Sequence, residues 1–206
     1  MRYGPGHKAE TRERILEAAE RAFRTHGYAG VGVDGLAAAA GITSGAFYGH
    51  FRSKAEAFRA AAAAGLLRLR RGIEDFHGRS GPGWVRPFMQ AYLAPPFRQG
   101  QPGGCALPSL AAEVARADAQ TRACYEAELL RLVETLVANL PPDADAPARQ
   151  RAWAMLALLA GGATMARAVE DAGVALEIAA AVTDAVVRVA GEDAAASCQP
   201  LSGSAS

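Results

Sequence analysis

Within residues 43 to 54, TSGAFYGHFRSK, hydroxyl, phenol, imidazole and ammonium donors at Thr43, Ser44, Tyr48, His50 and Lys54 surround two glycines, Gly45 and Gly49. Donors flanking small side chains suit a flat polyanion that comes close to the backbone. Ser44, Gly45 and Ala46 leave room for that approach. Thr43, Ser44, Tyr48 and His50 could bond phosphates or base edges, and Lys54 stands where free N–H groups at the start of the next helix add to its charge. Phe47 and Phe51 share a face at helical spacing and are expected to lock this segment onto Ile15 and Phe23. Covalent and metal chemistry have no such footprint. His7, His26, His50 and His77 form no HExxH or other metal-ligand interval, and no GxSxG or GxxxxGK[ST] string occurs. No metal, cofactor or catalytic residue is expected, and GPGHK at 4–8 lacks the strand that a phosphate loop follows.

A second distinctive stretch is GGCALPSLAAEV, residues 103 to 114. Cys105 follows two glycines at or near the first turn of a helix, where unsatisfied N–H groups and the helix dipole favour the thiolate and make it reactive. A small buried side chain is the plainer alternative for the same residue. Cys105, Cys124 and Cys198 include no CxxC pair, so neither a disulfide framework nor a zinc knuckle is indicated.

The elements that must position these residues are helical throughout. From Ala9 to His26 apolar residues recur at three- and four-residue spacing, with Gly27 as the expected left-handed cap. Val33 to Ala40 fits a short helix ended by Gly41; Thr43 can cap another over Ser44 to about Phe51; Ser53 with Glu56 forms a capping box that opens a long helix reaching about His77. Two short helices joined across Gly41-Ile42-Thr43 make a helix-turn-helix, whose second helix enters the major groove of DNA. Beyond a break at 78–83, helices are expected over Trp84–Ala94 (stopped by Pro95-Pro96), Cys105–Ala115, Ala119–Asn139, Pro147–Ala172 and Val174–Ala190. A Gly- and Pro-containing loop runs through Gly104, and the tail from 191 to 206 lacks apolar periodicity and is expected to be disordered.

The 206 residues, half of them hydrophobic, can bury a core. No apolar run is long enough to span a membrane and Met1 to Glu10 holds no signal-peptide core, so a cytoplasmic protein with no membrane partner is expected. The net charge of +1 hides an asymmetry, because residues 1–60 carry nine Lys or Arg against six acids. That end is the one suited to a polyanion.

Residues 11 to 58, TRERILEAAERAFRTHGYAGVGVDGLAAAAGITSGAFYGHFRSKAEAF, resemble the DNA-binding domain of TetR-type transcriptional regulators across their length. The likeness lies in a helix ending Gly-Tyr, an Ala-Gly-Ile turn, a recognition helix ending Phe-Tyr-x-His-Phe, and Ser-Lys at a new helix. It implies an all-α homodimer with a three-helix DNA-binding domain at 1–53 and a helical ligand-binding and dimerisation domain at 54–190. It also implies base or backbone contacts at Thr43, Ser44 and Gly45, and phosphate contacts at Tyr48, His50 and Lys54. Two residues depart from the pattern: Gly32 stands where relatives commonly have Thr or Ser, and Gly35 sits inside the second helix at a cost of about 1 kcal/mol relative to Ala.

The resemblance further implies an apolar effector pocket, for which Trp84, Phe88, Tyr92, Cys105, Tyr125 and Trp153 are candidates, although core packing would use the aromatic residues equally well. The Gly-Cys-x-Leu arrangement is similar to that of a subgroup associated with electrophile response, so the effector is expected to be small and either apolar or electrophilic. For dimerisation, Ile178, Val182, Ala185, Val186 and Val189 make an apolar face on the last helix. Leu156, Leu159, Gly161, Gly162, Ala163 and Ala166 accompany it on the helix before, enough for a four-helix interface. The expected function is a repressor released from a palindromic operator by such an effector or by modification of Cys105. The alternative is a ligand-binding helical protein that works through protein partners without reading DNA.

Overall fold

The computed structural model describes residues 5–94, 105–142 and 146–192, with side chains from residue 9 onward. Among these residues the secondary structure is helical: α1 Pro5–Gly30, α2 Val33–Ala39, α3 Ser44–Tyr48, α4 Lys54–Ser80, α5 Val85–Tyr92, α6 Ala106–Val114, α7 Ala119–Asn139, α8 Ala148–Ala168 and α9 Ala172–Ala190. No helix among them is long and apolar enough to cross a membrane. The expected loop at 95–104, Cys198, and the tail from 193 onward lie outside the described residues.

Local chemistry accounts for the boundaries of the helix-turn-helix. Gly27 (φ 72°, ψ 172°) interrupts α1 in a conformation reserved for glycine, and helical turns then continue to Gly30 instead of stopping at His26. α2 ends in a Schellman motif: Ile42 N–H donates to Ala37 O and Gly41 N–H to Ala38 O, both at 3.0 Å, with Gly41 at φ 68°. Thr43 is extended and its Oγ1 accepts from Ala46 N–H at 3.2 Å, which caps α3. The capping box at α4 forms with a shift: Ser53 Oγ accepts from Glu56 N–H at 3.1 Å, whereas Glu56 reaches back to Arg52 N–H at 2.8 Å. The recognition helix is shorter than its apolar pattern predicts, because the chain leaves the helix at Gly49 and Phe51 reaches the core from the turn beyond it.

The described residues up to Arg70, with those from Cys105 to Leu132, form one compact unit; those from Arg71 to Ala94, with Val133 to Glu192, form another. The core of the first joins Ile15 and Phe23 of α1, Leu36 of α2, Phe47 and Phe51, Phe58 of α4, and Ala106, Leu110 and Val114 of α6. Packing therefore does not divide at residue 53. The first turns of α4 and all of α6 complete the same core as the helix-turn-helix. α4 and α6 approach so closely that a Cβ built on Gly65 would collide with Ala106 Cβ.

In the second unit α8 crosses α9 at Gly162, where an added Cβ would meet Val182 Cγ1 at 2.7 Å. Arg151 of α8 is buried and donates to the carbonyls of Ala146, Ala190 and Pro141 at 3.0, 2.7 and 2.5 Å, closing the end of α9. Glu192, placed by its sequence in the expected disordered tail, is also buried. Its carboxylate accepts from Val85 N–H at 3.1 and 3.2 Å and caps α5. Burial pushes its carboxyl above the usual glutamate range, opposed by the backbone donors of Val85, Arg86 and Gly83 and by the Arg86 charge.

Candidate nucleic-acid interface

α3 shows one face to the core and the other to solvent. Phe47 and Phe51 are fully buried, their rings 5.6 Å apart, and the Arg12 guanidinium lies over the Phe51 ring at 4.6 Å. Opposite them Thr43, Gly45 and Ala46 are exposed, and Tyr48 is 55 % exposed, a large apolar ring with its hydroxyl available to a partner. A Cβ on Gly45 would find its nearest neighbour at 3.9 Å, so internal packing does not require glycine there. His50 is half-buried behind this face.

Lys54 is half-buried at the first turn of α4, and its Nζ sits 4.3 Å above the Tyr28 ring. That contact holds the ammonium beside the helix start instead of leaving it free to wander. Ser44 is placed differently from a free donor: its hydroxyl donates to Asp34 Oδ1 of α2 at 2.5 Å. Gly32, at the N-cap of α2, supplies no side-chain bond, which leaves the start of that helix without the hydroxyl found in the family pattern. The structure thus sets Thr43, Gly45 and Tyr48 on one exposed surface and adds Asp34 to the neighbourhood of Ser44. Asp34 carried no spacing signal, because its role depends on a contact ten residues away in sequence.

Behind the interface α6 runs between two functional groups. At its start Cys105 is the N-cap, half-exposed, with Sγ accepting from Leu107 N–H at 3.4 Å. Near its end Glu113 takes the Tyr28 N–H on both carboxylate oxygens, at 2.7 and 2.8 Å. The break at Gly27 deprives that N–H of a helical acceptor, and Glu113 replaces it. Buried Glu20 pairs with Arg24 at 3.0 Å and with Arg68. Burial lowers both guanidinium pKa values, opposed at Arg24 by charge on Cys105 and at Arg68 by Glu17, then Glu13 and Cys105. Tyr125 is pushed up to about 12, first by burial and then by the Cys105 charge; its hydroxyl is enclosed without a hydrogen-bond partner among the described residues.

The six candidate pocket residues fall into different surroundings. Trp84, Phe88 and Tyr92 are buried in the second unit with successive ring separations of 5.7 Å, and the Trp84 indole donates to Asn139 O at 3.1 Å. Cys105 and Tyr125 belong to the first unit, and Trp153 is exposed. Cavities of about 360 Å³ beside Tyr28, Phe58 and Glu113, and about 370 Å³ beside Gln90 and Leu176, are lined by none of the six. Of the expected dimer residues, Leu156, Leu159 and Val186 are already buried inside the single chain, and Ile178, Val182 and Val189 are half-buried.

A short helix, a Schellman turn and a second helix with an exposed polar face define a helix-turn-helix DNA-binding domain, and the secondary structure of the described residues is helical throughout. Residues 15–61 match the family model of bacterial regulatory proteins, tetR family. The HTH-type transcriptional regulator TtgR of Pseudomonas putida is 51 % identical over 51 residues, 25 % of this chain and 24 % of TtgR. The HTH-type transcriptional repressor NemR of Escherichia coli is 34 % identical over 115 residues, 51 % of this chain and 54 % of NemR. The matches thus span about a quarter to about half the length of these relatives. The crystal structure of E. coli NemR in its reduced form superposes with a TM-score of 0.72 at 20 % identity, covering 87 % of this chain and 97 % of that one. A TetR-family regulator from Cytophaga hutchinsonii gives 0.70 at 19 %, covering 91 % and 98 %. Residues 15–61 thus carry the N-terminal domain of the tetR family of bacterial regulatory proteins, and the fold of the described residues is that of these solved structures.

Proposed function

We propose that the chain is a homodimeric repressor that holds a palindromic operator through α3 and leaves it when Cys105 is modified or a small apolar effector binds. The observation that carries the reading is the exposed face of Thr43, Gly45 and Tyr48, backed by a helix whose other face is locked into the core. Tyr48 and Lys54 bond phosphates, and the first residues of α3 meet base edges. Two-fold symmetry sets the recognition helices about 34 to 36 Å apart, one turn of duplex, or at a multiple of that.

Release is read from α6. A group added at Cys105 would lose the Sγ bond to Leu107 and force bulk beside the start of α6, which shares the helix-turn-helix core and holds Tyr28 through Glu113. Displacing α6 moves the end of α1 and with it the aim of α3. A switch of this kind needs different affinity for the two states, which the modification supplies as strain. That a relative has been crystallised in a reduced form supports a redox-sensitive reading, as a property of that protein.

The test is selection of sites from random duplex DNA with the purified protein, repeated after treatment with a thiol-reactive aldehyde. A palindrome lost on treatment and retained in Cys105→Ser is the expected result. A palindrome indifferent to treatment leaves the operator and removes the thiol switch; no enriched site favours the protein-partner alternative. Alkylation of the native protein with excess iodoacetamide should modify Cys105 faster than Cys124, and equal rates would argue against an activated thiol.

A further inference from the structure

We infer that Asp34 is a specificity-determining residue: by taking the hydroxyl hydrogen of Ser44 it turns Ser44 into an acceptor, so that each half-site carries one position restricted to an amino base, cytosine or adenine. The inference rests on the helix-turn-helix reading above and adds a rule for what the helix reads.

A serine hydroxyl that can rotate discriminates poorly, because it donates to a carbonyl or ring acceptor on one base and accepts from an amino group on another. Ser44 lacks that freedom. Its Oγ lies 2.5 Å from Asp34 Oδ1, and a carboxylate has no hydrogen to give, so the hydroxyl hydrogen lies on this bond. The remaining lone pairs of Oγ can only accept.

In the major groove the groups that donate are cytosine N4 and adenine N6, whereas guanine O6 and thymine O4 are acceptors and face Ser44 with unfavourable lone-pair contact. Asp34 reinforces the choice, since its exposed carboxylate also accepts from an amino group and repels a keto oxygen. The position is suitable for base reading. Ser44 is the first residue of α3, the end of a recognition helix that meets base edges, and exposed Gly45 beside it carries no side chain to hold a duplex away.

The experiment compares sites selected from random duplex DNA by the full-length wild-type chain, Asp34→Ala, Asp34→Asn and Ser44→Ala, each first checked for native helicity by circular dichroism. The wild type should enrich a palindrome with one position per half-site at which C or A exceeds G or T by about tenfold, the range of one good base contact. Asp34→Ala frees the hydroxyl to donate and should bring that ratio to about twofold or less, leaving the other positions unchanged; Asp34→Asn keeps the shape of Asp and an oxygen that accepts the hydroxyl hydrogen, so it should keep a preference between those of the wild type and Asp34→Ala. Ser44→Ala should abolish the preference at the same position. An enriched palindrome with no amino-restricted position, or one whose restriction survives Asp34→Ala, overturns this inference alone. Failure of the wild type to enrich any site overturns the operator reading and this inference with it.

Discussion

At the scale of single residues, the proposed interface offers side chains whose freedom the fold has already removed. Lys54 is held over Tyr28, so its charge is offered at a set place and little entropy remains to be lost on binding a phosphate. Replacing it with alanine should weaken binding to all duplexes alike and lower the slope of log K against log salt by about one, measured by fluorescence anisotropy. A change in preference among sequences instead would place Lys54 on a base. Glu192 makes a different prediction. Its folded-state carboxyl is raised, so the folded state binds its proton more tightly than the unfolded chain does. The stability gained from this is fully present below the ordinary value of 4.5 and is lost as pH rises through the raised one. In urea titrations the wild type should lose stability relative to Glu192→Gln across that window, and a constant difference would show that Glu192 does not titrate there. The place of Lys54 at the start of α4 was legible in the sequence because Ser-Lys at a helix start is a local pattern. Glu192 was not, since nothing in EDAAAS announces an N–H group 107 residues away.

At the scale of elements, the angle between α2 and α3 is fixed by one Schellman turn. Gly41 at φ 68° has open space around it, so an alanine there meets no clash and pays only for the left-handed backbone. Gly41→Ala should cost about 1 kcal/mol of unfolding free energy. Gly27→Ala should cost more, about 2 to 3 kcal/mol, because φ 72° with ψ 172° is a region that glycine alone adopts readily and because its Cβ, 2.7 Å from Glu113 Oε1, would disturb the clasp on Tyr28. Equal losses in chemical denaturation would mean that neither the extended backbone at Gly27 nor the Glu113 contact adds to the cost. The helix pattern of α2, α3 and α4 was readable from period and caps. The length of α3 was not, because Phe51 has the spacing of a helical residue yet reaches the core from a turn.

At the scale of the molecule, α8 and α9 leave apolar surface uncovered. Trp153 and Met165 lie on α8 in step with exposed Ala157 and Gly161, and Val174 and Leu176 are exposed on α9. A second copy seated on this surface would bury it, while Leu156, Leu159 and Val186 continue to hold the two helices of one chain together. Met165→Glu combined with Leu176→Glu should convert a dimer into a monomer in light scattering at micromolar concentration and reduce operator affinity, with helicity unchanged. A double variant that remains dimeric would place the interface elsewhere.

The sequence by itself determined the helical class, the helix-turn-helix and most of its polar face, because those depend on spacing within a few residues: i to i+4 apolar pairs, caps and a glycine turn. Tertiary structure alone decided which of those groups remain free. It assigned the Ser44 hydrogen to Asp34, Trp84 to the core, Gly162 to Val182 and Tyr28 to Glu113. These outcomes are competitions for hydrogen bonds and space between residues far apart in the chain, and local periodicity contains no term for them.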